Sequence, residues 1–97
     1  MTPSKVLFII GTRPEAIKMA PVIRELARRG EKFTTRVCAT AQHREMLDPV
    51  LRLFEIRPDH DLNLMRDNQT LAQLTAAAIN GLDAVVRQEA PDCILVQ

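Results

Sequence analysis

The sequence lacks an excess of charge of either sign, because its 97 residues carry 13 Lys and Arg against 12 Asp and Glu. This balance produces no field that would draw the chain to nucleic acid or to an anionic membrane surface. The sequence also lacks an apolar run near the ~18 residues that a membrane span needs, and its N-terminus lacks a secretory signal pattern. We therefore expect a cytoplasmic protein with no nucleic-acid partner and no membrane partner.

Patterns for metal sites and for nucleophilic hydrolysis are also missing. Cys38 and Cys93 lie inside apolar runs, without a Cys-x-x-Cys spacing or a nearby histidine, which predicts two buried free thiols and no metal site. The run Asp59-His60-Asp61 is predicted to be a polar loop, since adjacent residues rarely converge on one ion. No nucleophile stands at a strand-to-helix elbow, so a hydrolase of that kind has no support.

Apolar patterning predicts strands and helices in alternation. A chain of this length holds one modest core, so residues 1–97 form one domain or part of one. Alternation of this kind predicts an α/β fold, a Rossmann-like parallel sheet with right-handed crossovers and helices on both faces. A kink or a fresh start is expected at Asp48-Pro49. The predicted strands cover 5–10, 33–40 and 93–96 with a brief one at 62–64, and the predicted helices cover 13–29, 46–54 and 70–89.

The first strand ends at Gly11, and the helix that follows begins with Thr12-Arg13-Pro14-Glu15. This spacing predicts a capping box, in which the Thr12 hydroxyl accepts from the Glu15 N–H and the Glu15 side chain accepts from the Thr12 N–H. A helix N-terminus also attracts anions, and Arg13 would add a bidentate contact to phosphate, with Lys18 one turn further in. Neither G-x-G-x-x-G nor G-x-x-x-x-G-K-[ST] is present, which disfavours a dinucleotide or a P-loop triphosphate.

A second polar stretch, "TAQHREMLD", follows the second predicted strand. Gln42, His43 and Arg44 are expected near the same sheet edge, where they would hydrogen-bond a polar ligand. A solvent-exposed helix start is the alternative role for the histidine, because a general base needs a partner that the sequence does not identify.

Four motifs in order, "GTRPEAIKMAP", "TAQHREMLD", "DLNLM" and "PDCILVQ", resemble the N-terminal domain of the non-hydrolysing UDP-N-acetylglucosamine 2-epimerases. The resemblance implies a partial N-terminal domain of a GT-B architecture, with the C-terminal UDP-binding domain absent from residues 1–97. It implies interconversion of UDP-N-acetylglucosamine and UDP-N-acetylmannosamine through elimination and re-addition of UDP, without a cofactor or a metal. It also implies a homodimer for the full-length protein and a role in cell-envelope polysaccharide synthesis.

By this resemblance, Arg13 and Lys18 are substrate-binding residues that face the UDP portion of the nucleotide sugar. Cations there would stabilise the charge that develops on the departing diphosphate. The family's catalytic carboxylates and histidine match no position within residues 1–97. The resemblance therefore implies no catalytic residue in this stretch, and we expect the chain by itself to be inactive.

The resemblance also implies a regulatory UDP-sugar site at Gln42 and Gln69, with His43 beside them. The members that have this site carry glutamine where this sequence has Glu45 and arginine where it has Asn68. These two departures argue against regulation by a second nucleotide sugar.

Two other functions fit the same residues. One is a stand-alone anion-binding or nucleotide-binding module without catalysis. The other is a fragment of a GT-B glycosyltransferase, which shares the architecture but is disfavoured by "GTRPE" and "AQHRE".

Overall fold

A single parallel sheet carries the fold in the computed structural model, which describes residues 2–41 and 44–97. Within these residues the strand order is β3-β2-β1-β4, and every pairing is parallel. The predicted α/β alternation is confirmed. The elements are β1 (Ser4–Ile10), α1 (Arg13–Arg28), β2 (Phe33–Ala39), α2 (Arg44–Leu53), β3 (His60–Asp61), α3 (Leu71–Glu89) and β4 (Cys93–Leu95).

Helices cover both faces of the sheet. Neighbouring residues of a strand point to opposite sides, so each strand contributes side chains to both faces. On one face Phe8 and its alternate neighbours pack against α1 and α2. On the other face Leu7 and Cys38 pack against Val85 of α3. Gly81 of α3 lies so close to Leu62 that a Cβ there would be 2.9 Å from the Leu62 Cδ1 atom. The missing side chain at Gly81 therefore lets α3 pack closely against Leu62, the residue that follows β3.

The structure corrects two boundaries. Helix α2 continues through Pro49, so of the two alternatives expected at Asp48-Pro49 the fresh start is wrong and the kink stays a prediction. Burial of Leu47 and Leu51 on one face holds the helix together. The short strand β3 lies at His60–Asp61, so the predicted strand at 62–64 is wrong, and the loop predicted at 59–61 is wrong for residues 60 and 61. Position 60 pairs with Cys38 of β2, and its side chain has a buried partner on α3 that sequence patterning did not reveal.

That partner is Glu89, whose side chain is 6% exposed at the end of α3. Its carboxylate bonds to His60 Nε2 at 2.6 Å, to Arg36 Nε at 2.9 Å and to Lys5 Nζ at 3.3 Å. The hydrogen bond with His60 is the main cause that lowers the pKa of Glu89 from 4.5 to about 2, and the Arg36 and Lys5 bonds lower it further. One buried carboxylate thus ties α3 to three strands.

The two cysteines differ in exposure. Cys38 is buried, as predicted, but Cys93 is exposed, so the prediction of a second buried thiol is wrong. Strand β4 pairs only with β1 and forms one edge of the sheet in the described residues, which leaves Cys93 open to solvent. Burial, with a smaller contribution from Asp61, raises the pKa of Cys38 to about 11.

We expect one of the two thiols to react quickly with a disulfide reagent such as DTNB at pH 8. The fast thiol is Cys93, because it is exposed, whereas Cys38 is buried and is held as the neutral thiol. Release of one equivalent of thionitrobenzoate from DTNB by the native protein, and of a second equivalent only after denaturation, would support this assignment. A Cys93→Ser variant serves as the control, and rapid release from that variant would contradict the assignment.

Candidate functional site at the carboxyl edge of the sheet

Strands β1, β2 and β3 end at one edge of the sheet, because they are parallel. The helices that follow them, α1, α2 and α3, begin on that same side. In open α/β sheets ligands bind in the crevice outside this edge. The residues just after each strand are therefore the candidate site.

The connection from β1 to α1 is held by Glu15. Its Oε1 accepts from the Gly11 N–H at 2.9 Å, and its Oε2 accepts from the Thr12 hydroxyl at 2.7 Å. The predicted capping box is wrong, because the Thr12 hydroxyl donates to the carboxylate and makes no cap bond to the helix backbone. The Glu15 carboxylate is therefore engaged within the turn, and its negative charge stabilises the positive N-terminal end of α1.

Arg13 and Lys18 both lie exposed on α1. Neither makes an ion pair with any residue in the part of the chain that the structure describes. Arg13 is the first residue of the helix, whereas Lys18 is about 7 Å further along the axis and about 140° around it. Arg13 therefore stands at the edge itself, and Lys18 lies behind it on another face.

The regulatory residues predicted from resemblance divide into two groups. Gln42 and His43 lie outside the described residues. Gln69 uses both ends of its amide within its own loop: Nε2 donates to the Leu64 carbonyl at 2.9 Å, and Oε1 accepts from the Arg66 N–H at 3.3 Å. These bonds give Gln69 a structural role in the connection that leads to α3.

Arg44 forms a polar cluster that sequence reasoning did not identify. Its Nη2 lies 2.7 and 2.8 Å from the two Asp61 oxygens and 3.3 Å from Asn63 Oδ1. Its Nη1 lies 3.4 Å from Asp48 Oδ2, and the Asp61 hydrogen bond is the main cause that raises the pKa of Arg44. Only the spacing of Arg44 and Asp48, one helical turn apart, was a signal in the sequence.

The end of β2 has unusual backbone and side-chain features. Ala41 is buried and has φ of 59°, a left-handed conformation that a side chain disfavours. Thr40 is 5% exposed, and its hydroxyl has no hydrogen-bond partner among the described residues. Non-glycine residues in this conformation concentrate at functional sites, which supports this edge as the candidate site.

No group of three or more His, Cys, Asp or Glu side chains in residues 2–41 and 44–97 is arranged to hold a metal ion. Within the same ranges, no helix has both the length and the apolar character needed to cross a membrane.

The parallel sheet and the helices on both faces define a Rossmann-like α/β domain, and Arg13 at the start of α1 lies at the edge where such domains bind ligands. The family model described as UDP-N-acetylglucosamine 2-epimerase matches residues 24–97. The chain therefore belongs to the UDP-N-acetylglucosamine 2-epimerase family.

Similar proteins agree with this assignment. The UDP-N-acetylglucosamine 2-epimerase of Yersinia pestis is 58% identical over 92 residues, which cover 95% of this chain and 24% of that protein. The crystal structure of the Neisseria meningitidis enzyme bound to UDP-GlcNAc has a TM-score of 0.84 at 58% identity, covering 95% of this chain and 25% of that one. The S. aureus MnaA co-structure with UDP has a TM-score of 0.89 at 49% identity, covering 96% and 24%. The chain spans about a quarter of the length of the curated relatives that it matches.

Proposed function

We propose that residues 1–97 form part of the N-terminal Rossmann-like domain of a non-hydrolysing UDP-N-acetylglucosamine 2-epimerase with a GT-B architecture. The reaction interconverts UDP-N-acetylglucosamine and UDP-N-acetylmannosamine, and the C-terminal UDP-binding domain lies outside this stretch. Family membership favours this function over a glycosyltransferase fragment. The observation that carries the site proposal is the exposed Arg13 at the first position of α1, at the edge where ligands bind.

The chemical role proposed for this edge is to hold the diphosphate. When UDP leaves the sugar, negative charge grows on the phosphate oxygens, and donors already in place lower the barrier. Arg13 would donate two hydrogen bonds to these oxygens, while the N-terminus of α1 adds its partial positive charge. Lys18 would contribute by charge at longer range, because it lies further along the helix.

Proton transfer at the sugar is assigned to residues outside this stretch. A general base must be free to accept a proton. Two carboxylates described at this edge are already engaged, Glu15 by Gly11 and Thr12 and Asp61 by Arg44. We therefore expect the chain to bind UDP without turning over the nucleotide sugar.

The remaining features of the proposal follow the family. The complete enzyme is proposed to be a cytoplasmic homodimer that needs no cofactor and does not bind nucleic acid. A regulatory UDP-sugar contact through Gln42 and His43 stays a prediction. The two loop bonds of Gln69 argue against its taking part.

Titration of the chain with UDP, followed by NMR, tests the site. Replacing Arg13 with alanine is expected to weaken UDP binding about ten-fold to a hundred-fold, because a charged hydrogen-bond donor contributes roughly 1.5–3 kcal/mol. Lys18→Ala is expected to have a smaller effect of about two-fold to three-fold.

The matched control is Arg24→Ala, an exposed arginine in the second half of the same helix. Equal UDP affinity for Arg13→Ala and Arg24→Ala would contradict the proposed site. Formation of UDP-N-acetylmannosamine from UDP-N-acetylglucosamine by the chain would contradict the assignment of proton transfer to other residues.

A further inference from the structure

We propose that Arg44 is a positioning residue that fixes the connection between β3 and α3 against the start of α2, and so shapes the ligand edge. The part of this proposal that concerns UDP rests on the function proposed above. The connection covers residues 62–70 and is named here the β3–α3 connection.

The contact between Arg44 and Asp61 joins two elements that are 17 residues apart. A single guanidinium nitrogen lies within 2.8 Å of both carboxylate oxygens, and Asn63 Oδ1 is 3.3 Å from the same nitrogen. Both side chains are partly exposed, with 40% of Arg44 and 42% of Asp61 open to solvent. An isolated pair at that exposure stabilises a protein little. We therefore expect the Arg44–Asp61 contact to add little to overall stability and to act by fixing the local backbone geometry of the β3–α3 connection.

The backbone next to this contact, at Asn63, has a conformation that requires support from neighbouring groups. Asn63 has φ of 48°, a left-handed conformation, and its N–H donates to Asp61 Oδ1 at 3.1 Å. Asp61 thus holds the turn at Asn63 while Arg44 holds Asp61. Without the guanidinium, the carboxylate would be free to turn toward water.

Hydrogen bonds carry this geometry to both neighbouring elements. The Leu62 N–H donates to the Ala39 carbonyl at 2.9 Å, and the Leu64 N–H donates to the Thr40 carbonyl at 3.0 Å, at the end of β2. The Leu64 carbonyl accepts from Gln69 Nε2 at 2.9 Å, next to the residue that caps α3. The bonded path therefore runs from the first residue of α2 to the start of α3, and it includes the backbone carbonyl of Thr40.

Amide hydrogen exchange measures whether Arg44 fixes this path. In Arg44→Gln, exchange at the Leu62 and Leu64 amides is expected to speed up about ten-fold, with the central Phe8 amide unchanged. Arg44→Lys keeps the charge but loses the fork of donors. Its exchange rates at Leu62 and Leu64 are expected to lie between those of the unsubstituted chain and those of Arg44→Gln. The matched control is Arg87→Gln, because Arg87 contacts both oxygens of Asp83 in an exposed pair on α3.

UDP titration of the same variants separates positioning from a purely structural contact. Arg44→Gln is expected to bind UDP at least three-fold more weakly, Arg44→Lys to recover part of that loss, and Arg87→Gln to bind like the unsubstituted chain. Unchanged exchange at Leu62 and Leu64, equal acceleration at Phe8, or local acceleration with full UDP affinity would each overturn the proposal. If the unsubstituted chain binds no UDP, the UDP site proposed at Arg13 fails, and the exchange rates alone then decide whether Arg44 fixes the connection.

Discussion

Replacing Glu89 with glutamine is expected to lower the free energy of unfolding by about 3 kcal/mol at pH 7. The carboxylate is buried and accepts from His60, Arg36 and Lys5, and a glutamine would offer one oxygen and turn an N–H₂ group toward the donors. The magnitude follows from the fall of the Glu89 pKa from 4.5 to about 2. Urea unfolding followed by circular dichroism measures it.

The pH dependence of the free energy of unfolding is a second test of the Glu89 carboxylate. A carboxyl whose pKa is lower in the folded state binds more protons when unfolded, so its contribution is complete above pH 4.5 and is lost as the pH falls toward 2. The wild-type chain should therefore lose stability across this window more steeply than Glu89→Gln, and the two curves should converge at low pH.

The control for Glu89 is Asp83→Asn, which removes a carboxylate from the exposed pair with Arg87 on the same helix. We expect that change to cost less than about 0.5 kcal/mol, as exposed pairs usually do. A loss at Glu89→Gln no larger than at Asp83→Asn, or parallel pH curves, would contradict a stabilising role for the buried carboxylate.

Replacing Phe8 with alanine is expected to have the largest effect on stability, about 4 kcal/mol. Phe8 is fully buried on the central strand β1, where it is opposite Val37 of β2 and Leu95 of β4. Truncation would remove apolar burial and leave a cavity between the sheet and two helices. The total stability of a small domain is only about 5–15 kcal/mol, so a large fall in the melting temperature, on the order of 20 °C, is expected.

The same substitution at Phe33 is the matched control, because Phe33 is half-buried at the start of β2. It is expected to cost about 2 kcal/mol, since less apolar area leaves water on folding. Thermal and urea unfolding of both variants would test the difference. If the two truncations cost the same, Phe8 would not be the centre of the core.

The starts of α1 and α3 show what a local sequence pattern can and cannot predict about helix capping. Thr12 and Thr70 are each followed three residues later by Glu or Gln, and the pattern predicted a capping box at Thr12. The box forms only at Thr70, with Gln73. At Thr12 the carboxylate of Glu15 turns to the Gly11 N–H, which local spacing did not reveal.

The Glu89 cluster was missed because its members are far apart in the chain, with Lys5 and Glu89 separated by 84 residues. One signal was available: Glu89 comes four residues after Val85, so it lies on the buried face of α3. A charged residue on such a face requires partners, but the sequence did not identify which.

By itself the sequence determined the order of strands and helices, the glycine that ends the first strand and the arginine that begins the first helix. These features depend on residues within one or two turns of each other, so apolar spacing and helix-end chemistry suffice to predict them. Only the tertiary structure decided the position of β3, the exposure of Cys93, the partners of Glu89 and the contact between Arg44 and Asp61. Each of these depends on groups that meet only when the sheet assembles, and no local pattern specifies that meeting.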